Sequence, residues 1–365
     1  MPWHWWVAAR KAPESMDSGL PDWARAHGPL THSARIRATP EDFRVDEVLG
    51  FPADGEGPHL LLTVEKRGAN TRWVADQLAR HAGVNPREVG YAGLKDRHAV
   101  TVQHFTLPLD RRPEPDWSVL PSDEFRVLKS ERHRRKLKTG SLEGNHFRLV
   151  LRDMNGPMSA LMPRLEAIRD QGVPNYFGVQ RFGHGAANIA KAEAALSGKL
   201  RIHDRRLFSL LLSTARSLIF NDLLSARVRA GNWNTLLSGE VMMLDGSHSV
   251  FRAPEPDAEL QARLASGDVH PTGPLWGRGE PMTSGEVMTL EAGIAARHPA
   301  LTQGLAKVGV EMARRALRLP VRDFAWREGA DGLILEFFLP AGTYATTVLR
   351  ELLDFHGEND DAQED

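Results

Sequence analysis

At 365 residues, 41% hydrophobic and 25% charged, the chain is longer than one ordinary core needs and too apolar for bulk disorder, so two domains are expected. No run approaches the roughly 18 apolar residues of a membrane span, and zero Cys removes disulfides, thiolate metal ligands and thiol nucleophiles, in keeping with a reducing, cytoplasmic setting. The net charge of −1 hides an asymmetry: the tail from Asp354 holds six of the 47 acids and none of the 46 Lys and Arg, leaving 46 basic against 41 acidic side chains before it.

The start, "MPWHWWVAARKAPES", carries three Trp but meets charge too soon for a secretory signal. "HLLLTVEKR" (59–67) reads as a strand, and "NTRWVADQLARHAG" as a helix with Asn70 or Thr71 as N-cap and Gly83 as its stop. "AVTVQHFTL", "EFRVLKS" and "HFRLVLRD" mix β-branched, aromatic and polar residues as half-buried strands do. Between the last two lie the turn "GSLEGN" and the basic run "RHRRKLK", in which five of seven residues, 132 to 138, are Lys or Arg. Such a run is a solvated loop or a polyanion contact.

From about residue 157 the texture becomes helical. "PMSALMPRLEAIRDQG" spaces Leu161, Leu165 and Ile168 at helical intervals, and "RRLFSLLLSTARSLIFNDLLSARVRAG" puts Phe208, Leu212, Ala215, Ile219 and Leu223 on one stripe. "APEPD" and "HPTGPLWGRGEPM" read as loops, and "EMARRALRLP" as a helix closing at Pro320. Strand texture returns with "LILEFFLP", followed by a turn and helix in "AGTYATTVLRELLDF". A sheet that stops, yields to helices and resumes suggests one domain inserted into another, in an α+β fold.

Familiar chemical motifs are missing: there is no G-x-x-x-x-G-K-[ST], no H-E-x-x-H and no G-x-S-x-G, and "GHGAAN" lacks the third Gly of a dinucleotide loop. His133, His146, His184 and His203 lack metal-ligand spacing. What stands out is "GYAGLKDRHAVTVQHFTL" (90–107), where Asp96 has no second acid beside it. Metal-dependent hydrolysis uses several carboxylates and glycoside hydrolysis two.

"YAGLKDRHAVTVQ" resembles the signature of the TruD family of tRNA pseudouridine synthases. "GNHFRLVLR" (144–152), "PNYFGVQRFG" (174–183) and "LPAGTYATTVLREL" (339–352) resemble three further blocks of that family in its order, so the likeness runs from "ATPEDFRVDE" to "LREL". It implies a pseudouridine synthase-type mixed, largely antiparallel sheet flanked by helices, with an inserted helix-rich domain. The implied boundaries are a discontinuous catalytic domain, 31–170 and 319–356, an insert, 171–318, an N-terminal extension, 1–30, and an acidic tail, 357–365.

The resemblance also implies a reaction: uridine 13 in the D arm of tRNA becomes pseudouridine through one Asp, without metal or organic cofactor. Asp96 stands at the family's Asp; a free Asp, with a pKa of about 3.9, is already ionised at neutral pH. Attack on the base, attack on the sugar, and removal of a sugar proton to give a glycal all remain open. Arg37 falls where the family's basic partner of that Asp stands, often Lys; a guanidinium can hold a carboxylate by two hydrogen bonds. Phe43, Asn145 and Tyr344 fall on substrate-contact positions and Phe147 on the base-stacking aromatic, Tyr344 standing where some members have Phe. Read without the family, Phe43 and Phe147 would be core residues and Asn145 a turn residue. Lys95 is placed at the substrate, as a possible phosphate contact, and Arg132, Arg134, Arg135, Lys136 and Lys138 at the RNA backbone. The expected partner is tRNA, with no membrane and no obligate protein partner. A non-catalytic RNA-binding protein would share the basic loop and the aromatics without requiring Asp96, and a metal-dependent RNA hydrolase would need further ligands around it.

Overall fold

The computed structural model describes residues 19–110, 112–120 and 122–357. The Trp-rich first residues and the acidic tail from 358 lie outside them. The chain builds a ten-stranded sheet whose main path runs Arg322–Gly329, Gly332–Pro340, Gly144–Asn155, Phe43–Val48, Val100–Pro108, His59–Arg67 and Phe125–His133. Pairing is antiparallel except between Phe43–Val48 and Val100–Pro108 and between Ser33–Arg35 and Asp354–His356. This is the expected mixed, largely antiparallel sheet, and strands from both ends of the sequence share it.

Local rules explain the best-read elements. His59–Arg67 is a strand over the expected residues. Thr71–Ala82 is a helix with Asn70 as N-cap, and Gly83 ends it at φ 63, in the left-handed region that favours Gly. Leu161, Leu165 and Ile168 pack from helix Met158–Gln171 into a core shared with Phe43, Phe147, Leu335 and Phe337. A second core surrounds the helix Arg205–Arg229 through Leu211, Ala215, Leu218, Ile219 and Leu223, while Phe208 and Leu212 of the expected stripe are only half-buried. This 25-residue helix is long and apolar enough to cross a bilayer. Its apolar side is packed inside the fold.

Two expectations fail. "EMARRALRLP" forms strands Ala313–Ala316 and Arg318–Leu319 in place of a helix. The first pairs with Val269–Leu275 and the second with Val173–Pro174, and these long-range ladders override the local helix preference of Ala, Arg and Leu. "HPTGPL" is likewise strand, in a four-stranded sheet, despite its two prolines. Val269 to Pro271 pair with Glu240–Leu244 and Thr272 to Leu275 with Ala313–Ala316, so neither Pro sits where ladders flank it on both sides.

The segment after Gly19 belongs to the fold as well. The Trp23 ring is buried, stacked on Tyr176 at 6.1 Å and against Phe182 at 5.2 Å, and its Nε1 donates to Asp222 Oδ1 at 2.7 Å. Ala26 N donates to Glu351 Oε2 at 2.8 Å, and Arg350 donates to the Trp23 carbonyl. These bonds tie helix Arg205–Arg229 to helix Ala345–Leu352. Trp23→Ala should therefore lower unfolding stability by about 3–5 kcal/mol, read by urea denaturation.

Candidate active site

The loop bearing Asp96 leaves the short strand Gly90–Tyr91 and returns into Val100–Pro108, with Gly90 opposite Thr106. Only Gly fits at 90, since a Cβ there would lie 2.5 Å from both the Leu137 carbonyl and Thr106 Oγ1. The loop crosses one face of the sheet and is pinned from below. Gln103 Nε2 donates to the Gly93 carbonyl at 2.6 Å, Thr71 Oγ1 donates to Gln103 Oε1 at 3.0 Å, and Lys95 N donates to Thr71 Oγ1 at 3.1 Å. Buried Lys66 donates through Nζ to the Asp96 and Ala69 carbonyls, each at 2.8 Å.

Arg37 Nη2 donates to Asp96 Oδ1 at 3.0 Å, so the structure brings the two expected partners together. The Asp96 side chain is 32% exposed and Arg37 is buried. The guanidinium lies 4.1 Å above the Phe43 ring, which adds a cation–π contact and fixes the plane of the fork. Arg37 holds φ at 54, an unfavourable region for a side chain of this size. Its neighbours fix that kink: Ile36 N donates to the His356 carbonyl at 2.9 Å, and Thr39 N to Asp42 Oδ2 at 3.0 Å. Asp42 is in turn gripped by Arg152 through two 2.8 Å bonds.

The sheet face beneath carries the other expected residues. Phe43 and Phe147 are 2% and 7% exposed and meet edge to face at 6.2 Å, and Phe147 stacks on Phe337 at 5.4 Å. Both rings belong to the core, as the residue types alone suggested. Asn145 stands opposite Glu47 on one side and Leu339 on the other. Its Oδ1 is buried and has no partner among the described residues, an acceptor that a ligand N–H could satisfy. Tyr344 caps helix Ala345–Leu352 and is 40% exposed.

Lys95 does not reach outward to a phosphate. Its ammonium is buried against Glu47, 2.6 Å from Oε2, because Glu47 lies on the inner face and needs a counter-charge there. In the basic run, Arg132 donates to the Asp110 carbonyl at 2.9 Å, Arg134 pairs with Glu56, and Lys136 donates to the Arg87 carbonyl at 2.9 Å. Arg134, Arg135, Lys136 and Lys138 are exposed. The turn after the run backs the Asp96 loop: Gly140 N donates to the Ala92 carbonyl at 2.7 Å.

Sequence reasoning missed Lys66 and Glu47, and a period of two would have found both. Leu60, Leu62 and Val64 share the buried face, so the next residue of that face is Lys66; Phe43 and Val45 lead likewise to Glu47. Burial alone would raise the Glu47 carboxyl, but the hydrogen bond from His104 and the Lys95 ammonium outweigh it and hold it below 4.5. A lowered carboxyl stabilises the fold above its unfolded pKa, so this contribution is lost as pH falls through and below 4.5. Glu47→Ala leaves the Lys95 ammonium buried without its partner and should cost about 3–5 kcal/mol in chemical denaturation at neutral pH.

A family model described as tRNA pseudouridine synthase D (TruD) matches residues 30–192 and 186–352. A tRNA pseudouridine synthase D from Methylococcus capsulatus is 49% identical, with 92% of this chain and 96% of the relative aligned. One from Pseudomonas aeruginosa is 47% identical over 90% of this chain and 93% of the relative. The solved structure of a Methanosarcina mazei protein described as a putative tRNA pseudouridine synthase D (TruD) shares the fold, with a TM-score of 0.72 over 92% of this chain and 96% of that one, at 21% identity. With the Asp96 loop and its Arg37 partner inside the matched residues, the chain belongs to the tRNA pseudouridine synthase D (TruD) family.

Proposed function

We propose that this chain converts uridine 13 in the D arm of tRNA to pseudouridine in the cytoplasm, with Asp96 as the acting carboxylate and no metal or organic cofactor. Its family membership supports a pseudouridine synthase acting on tRNA. The observation that carries the mechanism is the 3.0 Å bond from Arg37 to a carboxylate left 32% open to solvent. A guanidinium beside a carboxylate favours its charged form and aims it, while the exposed part of the side chain leaves room for a substrate.

The chemistry asks little else. The N1–C1′ bond of uridine breaks, uracil turns, C5 bonds to C1′, and the proton lost from C5 is balanced by one gained at N1. No oxidant, reductant or co-reactant enters. Asp96 serves by attacking the base or the sugar carbon, or by removing a sugar proton to give a glycal. The target base must leave its stack to reach the carboxylate. Tyr344 is the expected aromatic already open to such a base, and the buried Asn145 Oδ1, unpartnered among the described residues, offers an acceptor for the uracil N–H. Phe43 and Phe147 act from below: Phe43 carries Arg37, and Phe147 supports Phe43. We read 31–170 with 319–356 as the catalytic domain and 171–318 as an insert, the tRNA lying in the cleft between them. The shared ten-stranded sheet and the separate core around Arg205–Arg229 support that reading.

Purified Asp96→Ala should lose turnover on tRNA by roughly four orders of magnitude, and wild-type turnover in that variant would remove Asp96 from the mechanism. Arg37→Ala should lower kcat by about 100-fold, whereas Arg37→Lys, which keeps a cation, should stay within about tenfold of wild type. A chelator should change neither. Mapping pseudouridine in tRNA from cells lacking the protein tests the position: unchanged modification at 13 would sink that assignment.

A further inference from the structure

Of the four blocks that resemble the family, "PNYFGVQRFG" has no part in the mechanism above. The structure gives its middle an unusual charge arrangement. Phe177 is clamped by its backbone: its N–H donates to Asn221 Oδ1 at 2.9 Å, and its carbonyl accepts from Asn221 Nδ2 at 3.0 Å. Two guanidinium groups lie over its ring, Arg315 at 4.2 Å and Arg181 at 5.5 Å from the centroid. Arg315 comes from strand Ala313–Ala316 and reaches across to Asn175, donating from Nη2 to Oδ1 at 2.5 Å and from Nε to the carbonyl at 3.3 Å. Its Nη1 bonds no acceptor of the described residues.

Among the described residues no carboxylate pairs with Arg181 or Arg315, and the groups that act on the Arg315 charge are Tyr344 and Arg181. The adjacent Arg314 shows the ordinary solution, a buried pair with Glu291 at 2.7 Å. Burial brings Arg315 down to about 10, still well above neutral, and Arg181 pushes in the same direction. Two like charges brought together on one ring without an acid are a costly arrangement for the free protein. An arriving anion relieves that cost, and a stacked guanidinium presents its N–H edge to phosphate oxygens in a fixed plane. The position is equally telling. Thr347 Oγ1 donates to the Tyr176 carbonyl at 3.4 Å, so the block abuts the turn that carries Tyr344.

We propose that Arg181 and Arg315, held on Phe177, bind a phosphodiester of the RNA strand beside the nucleotide whose base reaches Tyr344. The inserted segment thereby grips the backbone while the sheet handles the base. This rests on the reading of the chain as a tRNA-acting enzyme, and its test is therefore a binding measurement that needs no turnover. The Kd of an in vitro transcribed tRNA is measured against KCl concentration in the Asp96→Ala background, with Arg181→Gln, Arg315→Met and Arg315→Lys added singly. Arg181→Gln and Arg315→Met should each weaken binding about tenfold and reduce the salt slope by about one, whereas Arg315→Lys should keep the slope. With Asp96 restored, Arg181→Gln and Arg315→Met should raise KM and leave kcat at saturating tRNA within about twofold. An unchanged slope in folded Arg181→Gln overturns the site, and so does a fall in kcat at unchanged KM. If Arg315→Met fails to fold by circular dichroism, Arg181→Gln decides alone, since the Arg181 guanidinium forms no ion pair among the described residues. Failure of the Asp96 assignment would show separately, as turnover retained by Asp96→Ala.

Discussion

A carboxylate that is one-third open must be aimed, and here the Arg37 guanidinium at 3.0 Å supplies much of that constraint. The rest of the site follows from placing that guanidinium. Arg37 needs a flat surface, which Phe43 provides; Phe43 needs an edge against which to rest, which Phe147 provides; and Phe147 lies on Phe337 from the returning half of the sheet. The residues that look like substrate contacts in a list of positions are thus also a column of support beneath one ion pair. The loop itself is held by polar anchors from a different direction, through Lys66, Thr71 and Gln103. Moving Asp96 relative to Arg37 would mean disturbing two separate parts of the sheet face.

Buried charge recurs through the fold, and its meaning depends on what else reaches it. Glu240 is paired with Arg227 of helix Arg205–Arg229, yet burial still raises its carboxyl above the usual range. Glu47 is just as enclosed and is lowered, because the N–H and ring of His104 add to the Lys95 ammonium. A buried pair adds little net stability when its desolvation is counted, but it penalises any register that separates the partners. Glu47 sits one strand away from Asn145, in register, so the pair that fixes the loop also fixes the row of the sheet in which the open acceptor stands.

The sequence revealed most where chemistry is local. The alternation in "HLLLTVEKR" and the Gly83 stop defined a strand and a helix whose observed bounds follow those signals. Asp96 stood out because no acid accompanies it, and the resemblance supplied Arg37, 59 residues away, which no periodicity could have linked to it. What stayed hidden is decided by distant pairing. "EMARRALRLP" carries helix-favouring residues, and only the facing strand Val269–Leu275, with Glu291 for Arg314, makes it a strand. The role of Lys95 stays open in the sequence, which does not show that Glu47 lies beneath it.

The parallel pairing of Ser33–Arg35 with Asp354–His356 sets an order of events. The Ile36 amide that helps fix the kink at Arg37 is bonded by the His356 carbonyl, more than three hundred residues later. During synthesis the loop with Asp96 and its polar anchors can form early, since those contacts lie within the first third of the chain. The partner guanidinium reaches its strained backbone state only when the last strand has emerged and closed the sheet, a contact of the longest and slowest kind. A nascent chain therefore carries the Asp96 carboxylate before Arg37 is set against it.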